Sequence, residues 1–243
     1  MKLALITGGS RGLGAALVET YLQAGWEVRE FSRSGTSAIH RDLDLASSDS
    51  IQQAIKTVQL EFADVKLEEL LLIHNAGSLG AMKLTDRLAA TEIQEHLTAN
   101  LLSPVELLSG LIAHFQPCQC PKSLINISSG AALRGYPGWS LYCTAKAGIE
   151  NFINTVAEEQ KLAAYPFRAI NFHPGKMDTG MQAEIRATDS SEFPLRERFV
   201  QAYQEGALLE PAKVARTLQQ LLSRESLPSG HYDVTTLLAE QRG

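Results

Sequence analysis

Short apolar runs alternate with longer amphipathic stretches along the whole chain. The apolar runs predict strands at 2–6, 26–31, 38–43, 69–74, 122–128, 167–172 and 231–235. Stretches with apolar residues three or four positions apart predict helices at 12–24, 48–62, 91–115, 139–163 and 211–223. Because alternating strands and helices form a parallel sheet that is covered on both faces, the pattern predicts an α/β protein.

A glycine-rich segment, TGGSRGLG at 7–14, joins the first predicted strand to the first predicted helix. Gly8, Gly12 and Gly14 allow a tight turn and a close approach of the backbone to a ligand. The helix N-terminus that follows offers unpaired N–H groups and the positive end of its dipole. A strand, a glycine-rich turn and a helix in this order indicate a dinucleotide site.

Tyr142 and Lys146 lie four residues apart in the sequence YCTAK, within the predicted helix 139–163. This spacing places a phenol and an ammonium group on one helix face. A nearby cation lowers the pKa of a tyrosine, ordinarily about 10, because it stabilises the phenolate. Ser129 precedes Tyr142 by 13 residues and directly follows the predicted strand 122–128.

Five landmarks in this order resemble the classical short-chain dehydrogenase/reductase family. They are the TGxxxGxG turn at 7–14, HNAG at 74–77 where the family commonly has NNAG, Asn100, the set Ser129, Tyr142 and Lys146, and PGKMDT at 174–179. The resemblance extends to about residue 236. It implies a single Rossmann-type, doubly wound domain over 1–243 with a central, mostly seven-stranded parallel sheet.

The resemblance also divides the domain by function. It implies a cofactor-binding half at about 1–125 and a catalytic and substrate half at about 126–243. The long insertion at 178–206 is interpreted as a mobile lid over the substrate.

The resemblance implies an oxidoreductase that transfers a hydride between a nicotinamide and a carbonyl. Tyr142 would protonate the alkoxide, and Lys146 would lower the pKa of Tyr142 and bond the nicotinamide ribose. Ser129 would donate a hydrogen bond to the carbonyl oxygen. Ser128 is the competing hydroxyl, but its distance from Tyr142 is one residue too long for the family pattern.

Asn100 is the fourth catalytic residue that the resemblance implies. Pro104 removes the N–H bond that the Asn100 carbonyl would normally accept within a helix. The freed carbonyl is suited to a water in a proton relay, which is the role that the family gives this asparagine.

The second predicted strand ends in Ser32 and Arg33, where NAD-selecting enzymes usually have an acid. Arg33 is suited to a 2′-phosphate, and Arg11 supplies a second cation from the glycine-rich turn. Glu30 should point to the opposite face of the strand from its two neighbours. NADPH, rather than NADH, is therefore the predicted cofactor.

The remaining cofactor contacts follow from the family motifs. Asp44 and Leu45 match a pair that contacts the adenine, although Asp44 could instead belong to the turn into the helix capped by Ser47 or Ser48. His74 is interpreted as a strand-end side chain. The full predicted set is Thr7, Gly8, Ser10, Arg11, Gly12, Leu13, Gly14, Ser32, Arg33, Asp44, Leu45, Asn75, Ala76, Gly77, Tyr142, Lys146, Pro174, Gly175, Met177 and Thr179.

Composition argues against several other classes of protein. A formal net charge of −5 without an arginine-rich stripe disfavours nucleic acid as the partner. No apolar run reaches 18 residues, and the N-terminal run is consumed by the first strand, which disfavours a membrane span or secretion. The six histidines show no metal-ligand spacing, and Cys118 and Cys120 have no further ligands nearby, so no metal is predicted. Reduced thiols are expected in a cytoplasmic protein.

Within the family, PGKMDTGMQ at 174–182 and the ending SGHYDV resemble the sepiapterin reductase and benzil reductase branch, which reduces vicinal dicarbonyls. Sepiapterin reductases grip the pterin with an acid near the C-terminus, where this chain has Thr236, with Asp233 a few residues earlier. The predicted substrate is therefore a small ketone or a benzil-like α-diketone. Four apolar residues could line its pocket or could pack the lid against the body: Trp139, Met181, Phe193 and Phe199.

Two other functions stay open. One is a 3-oxoacyl thioester reductase or secondary-alcohol dehydrogenase of the same fold, and the other is a non-catalytic nucleotide sensor. The Asp-Gly-Gly that tetrameric members often have after the last strand is missing, which favours a homodimer through the helices at 91–115 and 139–163 and leaves a tetramer open.

Overall fold

A computed structural model describes residues 1–241 and arranges its seven strands in one parallel sheet. The strands are β1 (Lys2–Thr7), β2 (Glu27–Ser32), β3 (His40–Asp42), β4 (Glu69–His74), β5 (Lys122–Ile127), β6 (Phe167–His173) and β7 (Gly230–Asp233). Their order is β3-β2-β1-β4-β5-β6-β7, so the strand order reverses between β1 and β4. The predicted doubly wound α/β fold is confirmed, and its ligand site is expected at this switch point.

The helices that flank the sheet are α1 (Gly12–Gln23), α2 (Ser48–Glu61), α3 (Ala90–Leu97), α4 (Ser103–Phe115), α5 (Ser140–Gln160), α6 (Gly180–Ala187), α7 (Arg196–Gln204), α8 (Pro211–Leu222) and α9 (Val234–Glu240). Among residues 1–241, no helix combines the length and the apolar character that a membrane crossing requires.

The apolar strand residues divide between the two faces of the sheet with a period of two. Leu3 and Leu5 pack with residues of α2, α4 and α5 on one face. Ala4 and Ile6 pack with residues of α1, α8 and α9 on the other face. This alternation leaves both faces of each central strand buried, as expected for a parallel sheet.

One predicted helix, 91–115, is interrupted. A π-helical turn at Thr98–Leu102 separates α3 from α4, and the Ser103 N–H bonds the Thr98 carbonyl five residues back. Pro104 follows this turn at the start of α4. Because proline has no N–H and clashes with the preceding turn, a regular α-helix cannot continue through this point.

Two further differences from the predicted elements bear on the site. β7 ends at Asp233 instead of residue 235, because the Asp233 carboxylate accepts the N–H groups of Thr235 and Thr236 and caps α9. The segment 178–206 contains α6 and α7. Its Phe193 is 0% exposed and stacks on Trp139 with 4.8 Å between ring centroids, so the segment is anchored to the body by aromatic packing.

Candidate active site

The glycine-rich turn follows β1 at the switch point and folds tightly onto itself. The Gly8 N–H donates to the Phe31 carbonyl over 2.7 Å, and Gly8 has a φ of +69°. A Cβ atom added to Gly14 would lie 1.9 Å from the Gly8 carbonyl oxygen. A side chain at position 14 would therefore open the turn that begins α1.

The residues after β4 hold this turn from the other side. The Asn75 side-chain amide donates to the Thr7 and Gly8 carbonyls over 3.2 and 3.0 Å. The Ala76 N–H donates to the Thr7 hydroxyl over 3.1 Å. These bonds join the ends of β1 and β4.

His74 is a buried strand-end side chain. Its Nδ1 atom lies 3.2 Å from the Thr7 hydroxyl, and burial lowers the pKa of His74 to about 3. The imidazole is therefore neutral at physiological pH and supports the turn.

Tyr142 and Lys146 lie on one face of α5, as their spacing predicted, and both are buried. Lys146 Nζ lies 5.9 Å from the centroid of the Tyr142 ring and donates to the Ile127 carbonyl over 2.8 Å. Ser129 lies close enough to Tyr142 to act on the pKa of the phenol, whereas the Ser128 hydroxyl donates to Glu150. The structure therefore places Ser129 beside the phenol.

Burial controls the protonation of this pair. It raises the pKa of Tyr142 to about 12, although the Ser129 hydroxyl acts in the opposite direction. It also lowers the pKa of Lys146 to about 8, against the influence of the Glu150 carboxylate. The pKa of the tyrosine is thus raised, contrary to the sequence prediction, because the loss of water around a phenolate outweighs the influence of Ser129. A phenol with this pKa is fully protonated at neutral pH and is a proton donor.

Asn100 lies in the π-helical turn and is buried. Its side-chain carbonyl accepts the Ser78 N–H over 2.8 Å, and its amide donates to the His96 carbonyl over 3.1 Å. A Cβ atom added to Gly77 would lie 3.3 Å from Asn100 Oδ1 and 4.0 Å from Lys146 Nζ. The asparagine and the lysine therefore border the same space.

Sequence reasoning missed His96. This residue is 4% exposed, and its ring centroid lies 6.5 Å from that of Tyr142 in an edge-to-face arrangement. Its Nδ1 lies 3.4 Å from the Asn100 amide nitrogen. Burial lowers the pKa of His96, so the imidazole contributes a neutral polar wall. His96 lies four residues before Asn100 on a predicted helix, and this spacing could have indicated that the two side chains share a helix face.

The segment PGKMDT brings residues from β6 towards the glycine-rich turn. Gly175 has a φ of +71°, and Met177 pairs with Leu209 in a short parallel bridge. The Thr179 Cγ2 atom would lie 3.4 Å from a Cβ atom added to Gly12. Thr179 therefore faces the glycine-rich turn, as it must if both contact the same cofactor.

The carboxyl end of β2 carries Ser32 and the exposed Arg33. Arg11 is also exposed, at the N-cap of α1. Within residues 1–241, neither arginine has a carboxylate partner within 4.0 Å. Both guanidinium groups are therefore available to an anion.

Glu30 points away from Phe31, as the strand period predicted. Phe31 belongs to the core on the α2 side, whereas Glu30 Cγ would lie 2.3 Å from a Cβ atom added to Gly9. The Glu30 carboxylate is buried and lies 2.7 Å from His40 Nδ1. Glu30 is the acid that β2 carries near the turn. Because its carboxylate is paired with the His40 imidazole, it does not oppose a phosphate at Arg33.

Asp44 occupies the turn before α2. Its carboxylate accepts the Ala46 N–H over 3.0 Å, and its own N–H donates to the Ser50 hydroxyl over 2.9 Å. Ser47 caps α2 by accepting the Ser50 N–H. These bonds support the turn role for Asp44, while the adenine contact of Asp44 and Leu45 stays a prediction.

These residues surround one groove at the carboxyl edge of the sheet. The backbone at Gly8 and Gly14 leaves no room for side chains, and the N-terminus of α1 opens directly onto it. A groove of this kind fits the pyrophosphate of a dinucleotide. A protonated phenol and a hydroxyl border the groove next to the ammonium of Lys146, an arrangement that can protonate a developing alkoxide.

Comparison with known proteins defines the class. The model of the short chain dehydrogenase family matches residues 2–190. The chain therefore belongs to this family of oxidoreductases, which bind nicotinamide cofactors and interconvert alcohols and carbonyls.

Individual proteins of this family resemble the chain over nearly its whole length. The chain is 35% identical to a benzil reductase ((S)-benzoin forming) of Bacillus subtilis (strain 168) over 98% of this chain and 100% of that protein. It is 30% identical to a sepiapterin reductase of Rattus norvegicus over 94% of each chain. The crystal structure of the KRED1-Pglu enzyme matches with a TM-score of 0.80 and 26% identity, covering 96% of this chain and 100% of that chain. The predicted branch is therefore confirmed.

Proposed function

We propose that this oxidoreductase is an NADPH-dependent carbonyl reductase that acts on small ketones and α-diketones of the benzil type. The observation that carries the proposal is the buried group of Tyr142, Ser129, Lys146 and Asn100 beside the glycine-rich turn. The 35% identity to a benzil reductase over nearly the whole chain supports the substrate class.

The side chains have separate tasks in this proposal. Bound NADPH supplies the hydride to the carbonyl carbon. Tyr142 gives its phenolic proton to the carbonyl oxygen, and Ser129 donates a hydrogen bond to the same oxygen as negative charge develops there. The proton lost by Tyr142 is replaced through Lys146 and a water at the Asn100 carbonyl. Tyr142 is protonated at neutral pH, as a proton donor must be, and its raised pKa of about 12 makes it a weaker acid than a free tyrosine.

The choice of NADPH follows from charge at the end of β2. Arg33 and Arg11 are exposed cations at the edge of the groove. A 2′-phosphate would form charge-assisted hydrogen bonds with these guanidinium groups. NADH has a hydroxyl at that position and would gain less.

Replacement of Arg33 by alanine is expected to raise the KM for NADPH by roughly 10- to 100-fold, because charge-assisted bonds contribute roughly 1.5–3 kcal/mol. The KM for NADH should change little. Steady-state kinetics with both cofactors measure this difference. Arg33→Lys keeps the charge but loses the planar fork, so its KM for NADPH should lie between those of the wild type and Arg33→Ala. A wild-type enzyme that prefers NADH would contradict the charge argument.

The substrate argument depends on the end of β7. Thr236 is exposed on α9, and the Asp233 carboxylate is engaged by the N–H groups of Thr235 and Thr236. An acid that caps a helix is a poor second anchor for a pterin, because binding would break the cap. A diketone does not need that anchor.

For two of the four apolar residues, burial favours the packing alternative over the lining of a substrate pocket. Phe193 and Phe199 are buried against Trp139, so these two rings pack the 178–206 segment onto the body. Trp139 also approaches Tyr142, with 5.4 Å between ring centroids. We infer that Trp139 and the half-buried Met181 supply the apolar contacts for the flanks of a diketone.

Benzil is expected to be reduced to the hydroxyketone with a kcat/KM at least about tenfold above that of sepiapterin, since the adjacent carbonyl activates the reacting carbon and the pterin anchor is missing. NADPH oxidation across benzil, an alkyl diketone, sepiapterin and an acetoacetyl thioester measures this ranking. Equal or better efficiency with sepiapterin would contradict the diketone assignment. The acetoacetyl thioester as best substrate would instead support the 3-oxoacyl reductase.

A non-catalytic nucleotide sensor is the less favoured function. A sensor needs the glycine-rich turn but has no use for a protonated phenol beside a serine hydroxyl and a lysine. Failure of every carbonyl in the panel, together with tight NADPH binding, would support it.

Assembly as a homodimer through α4 and α5 also stays a prediction, as does the cytoplasmic location. Sedimentation of the full chain distinguishes a dimer from a monomer or a tetramer.

A further inference from the structure

A carboxylate and two imidazoles converge between α5 and the last two strands, outside the groove described above. Glu150 lies one helical turn after Lys146, His173 ends β6, and His231 lies in β7. One side-chain donor atom from each residue lies within 4.8 Å of the other two. The proposed reductase function assigns no task to these three side chains.

The strand register explains why these residues meet. β6 and β7 are parallel, with Asn171 paired to His231 and His173 paired to Asp233. His173 and His231 are therefore near neighbours on the same sheet face, although 58 positions separate them in sequence. That face is covered by α5, whose Glu150 projects onto it.

Both imidazoles approach the Glu150 carboxylate closely. His173 Nε2 lies 3.2 Å from Glu150 Oε2, and His231 Nδ1 lies 3.2 Å from Glu150 Oε1. Donors at about 2.0–2.2 Å from a tetrahedral Zn²⁺ are separated by roughly 3.4 Å from one another. The separations from the carboxylate to each imidazole are thus close to those of a ligand set.

The carboxylate is held in place by its surroundings. Glu150 is buried, with 7% of its side chain exposed, and accepts a hydrogen bond from the Ser128 hydroxyl. Its backbone carbonyl accepts the Asn171 amide over 3.1 Å, and that amide also donates to Asn154 over 2.9 Å. Hydrogen-bonded support of a ligating carboxylate is a recurrent feature of metal sites.

One member of the cluster is open to solvent. The His231 side chain is 46% exposed, whereas the His173 side chain is 8% exposed. A cation could enter past His231 and keep a water as its remaining ligand, as in sites with three protein ligands.

We propose that Glu150, His173 and His231 bind a divalent transition-metal cation, with Zn²⁺ as the probe ion. Two imidazole nitrogens and a carboxylate oxygen are a donor set that suits Zn²⁺, Co²⁺ and Ni²⁺ better than Mg²⁺ or Ca²⁺. A dication also compensates the buried negative charge of Glu150 without requiring either histidine to be protonated. The absence of metal-ligand spacing along the chain does not oppose this site, because adjacent strands supply the ligands.

The competing account is a hydrogen-bonded network in which the two imidazoles donate to the carboxylate and no metal binds. Binding of Zn²⁺ alone to the chelator-treated full chain, measured by competition with a chromogenic chelator, separates the two accounts. We expect one Zn²⁺ per chain. Co²⁺ at the same site should show no thiolate-to-metal absorption, because its ligands are nitrogen and oxygen.

Three variants complete the experiment. His231→Gln keeps a hydrogen-bond donor on an exposed residue but removes a good ligand, and it should weaken Zn²⁺ binding at least about tenfold. Glu150→Gln should do the same through loss of the charge. The matched control replaces Cys118 and Cys120, the half-buried thiols elsewhere in the chain, by serine and should leave the affinity unchanged.

Circular dichroism melts establish whether each variant is folded. If Glu150→Gln does not fold, the exposed variant His231→Gln still tests the site. Wild-type protein that binds no Zn²⁺, or His231→Gln protein that binds it as tightly as wild type, would overturn the proposal. Loss of binding in the double cysteine variant would also overturn it.

Discussion

Replacement of Tyr142 by phenylalanine is expected to lower the turnover number for carbonyl reduction at least about 100-fold, within the range of general acid catalysis. The phenol is buried, lies beside Ser129, and is protonated at neutral pH because its pKa is raised to about 12. Phenylalanine keeps the ring in contact with Trp139 and removes only the proton donor. Single-turnover oxidation of NADPH measures the effect on the chemical step.

The matched control is Tyr136→Phe. Tyr136 also packs against Trp139, with 5.3 Å between ring centroids, but its hydroxyl accepts from Arg134 Nε. Loss of this second hydroxyl should leave turnover within about threefold of wild type, as expected for one neutral change outside the reacting groups. NADPH affinity should be similar in both variants. A Tyr142→Phe enzyme that keeps most of its turnover would remove Tyr142 from the proposed mechanism.

Replacement of Gly14 by alanine is expected to lower NADPH affinity by roughly 100-fold. The added Cβ would lie 1.9 Å from the Gly8 carbonyl oxygen and 2.6 Å from the Asn75 side-chain nitrogen. Because one of these atoms belongs to the backbone, no rotamer change relieves the clash, and the turn must open. A cost of about 3 kcal/mol, at the upper end for overpacking, corresponds to this loss of affinity.

Gly135→Ala is the control for this variant. A Cβ atom at Gly135 meets no other atom within 4 Å, and this residue does not have a positive φ. Equilibrium titration of NADPH fluorescence measures both variants. Unchanged affinity in Gly14→Ala protein would show that the turn does not cradle the cofactor.

The strongly periodic parts of the chain were predictable. β1 and β4 are largely apolar on both faces, and α5 carries Tyr142 and Lys146 at helical spacing, so the parallel sheet and the shared helix face of this pair followed from pattern. The catalytic roles of the pair came from the family resemblance. The motif spacing also favoured Ser129 over Ser128, and the structure places Ser129 beside the phenol.

Features that depend on tertiary contacts were not predictable. One local detail was also missed, since Pro104 indicated a freed carbonyl at Asn100 but not the π-helical turn that the structure has there. The raised pKa of Tyr142 depends on burial by residues distant in sequence. Likewise, the distance between His173 and His231 along the chain hides their neighbouring positions on adjacent strands.

The amphipathic signal of the 178–206 segment was too short to be separated from a loop. α6 spans Gly180–Ala187 and α7 spans Arg196–Gln204. Helices of this length are marginal on their own and form here because Phe193 and Phe199 pack against Trp139.

The most direct test of the proposed function follows the hydride itself. Benzil is incubated with wild-type enzyme and NADPH deuterated at both C4 positions of the nicotinamide, and the product is analysed by mass spectrometry and NMR. Hydride transfer with protonation by Tyr142 predicts benzoin with one deuterium on the carbinol carbon and none on the hydroxyl, formed at least about 100-fold more slowly by Tyr142→Phe protein. Benzoin without deuterium, or no benzoin while NADPH binds normally, would contradict the assignment as an NADPH-dependent diketone reductase.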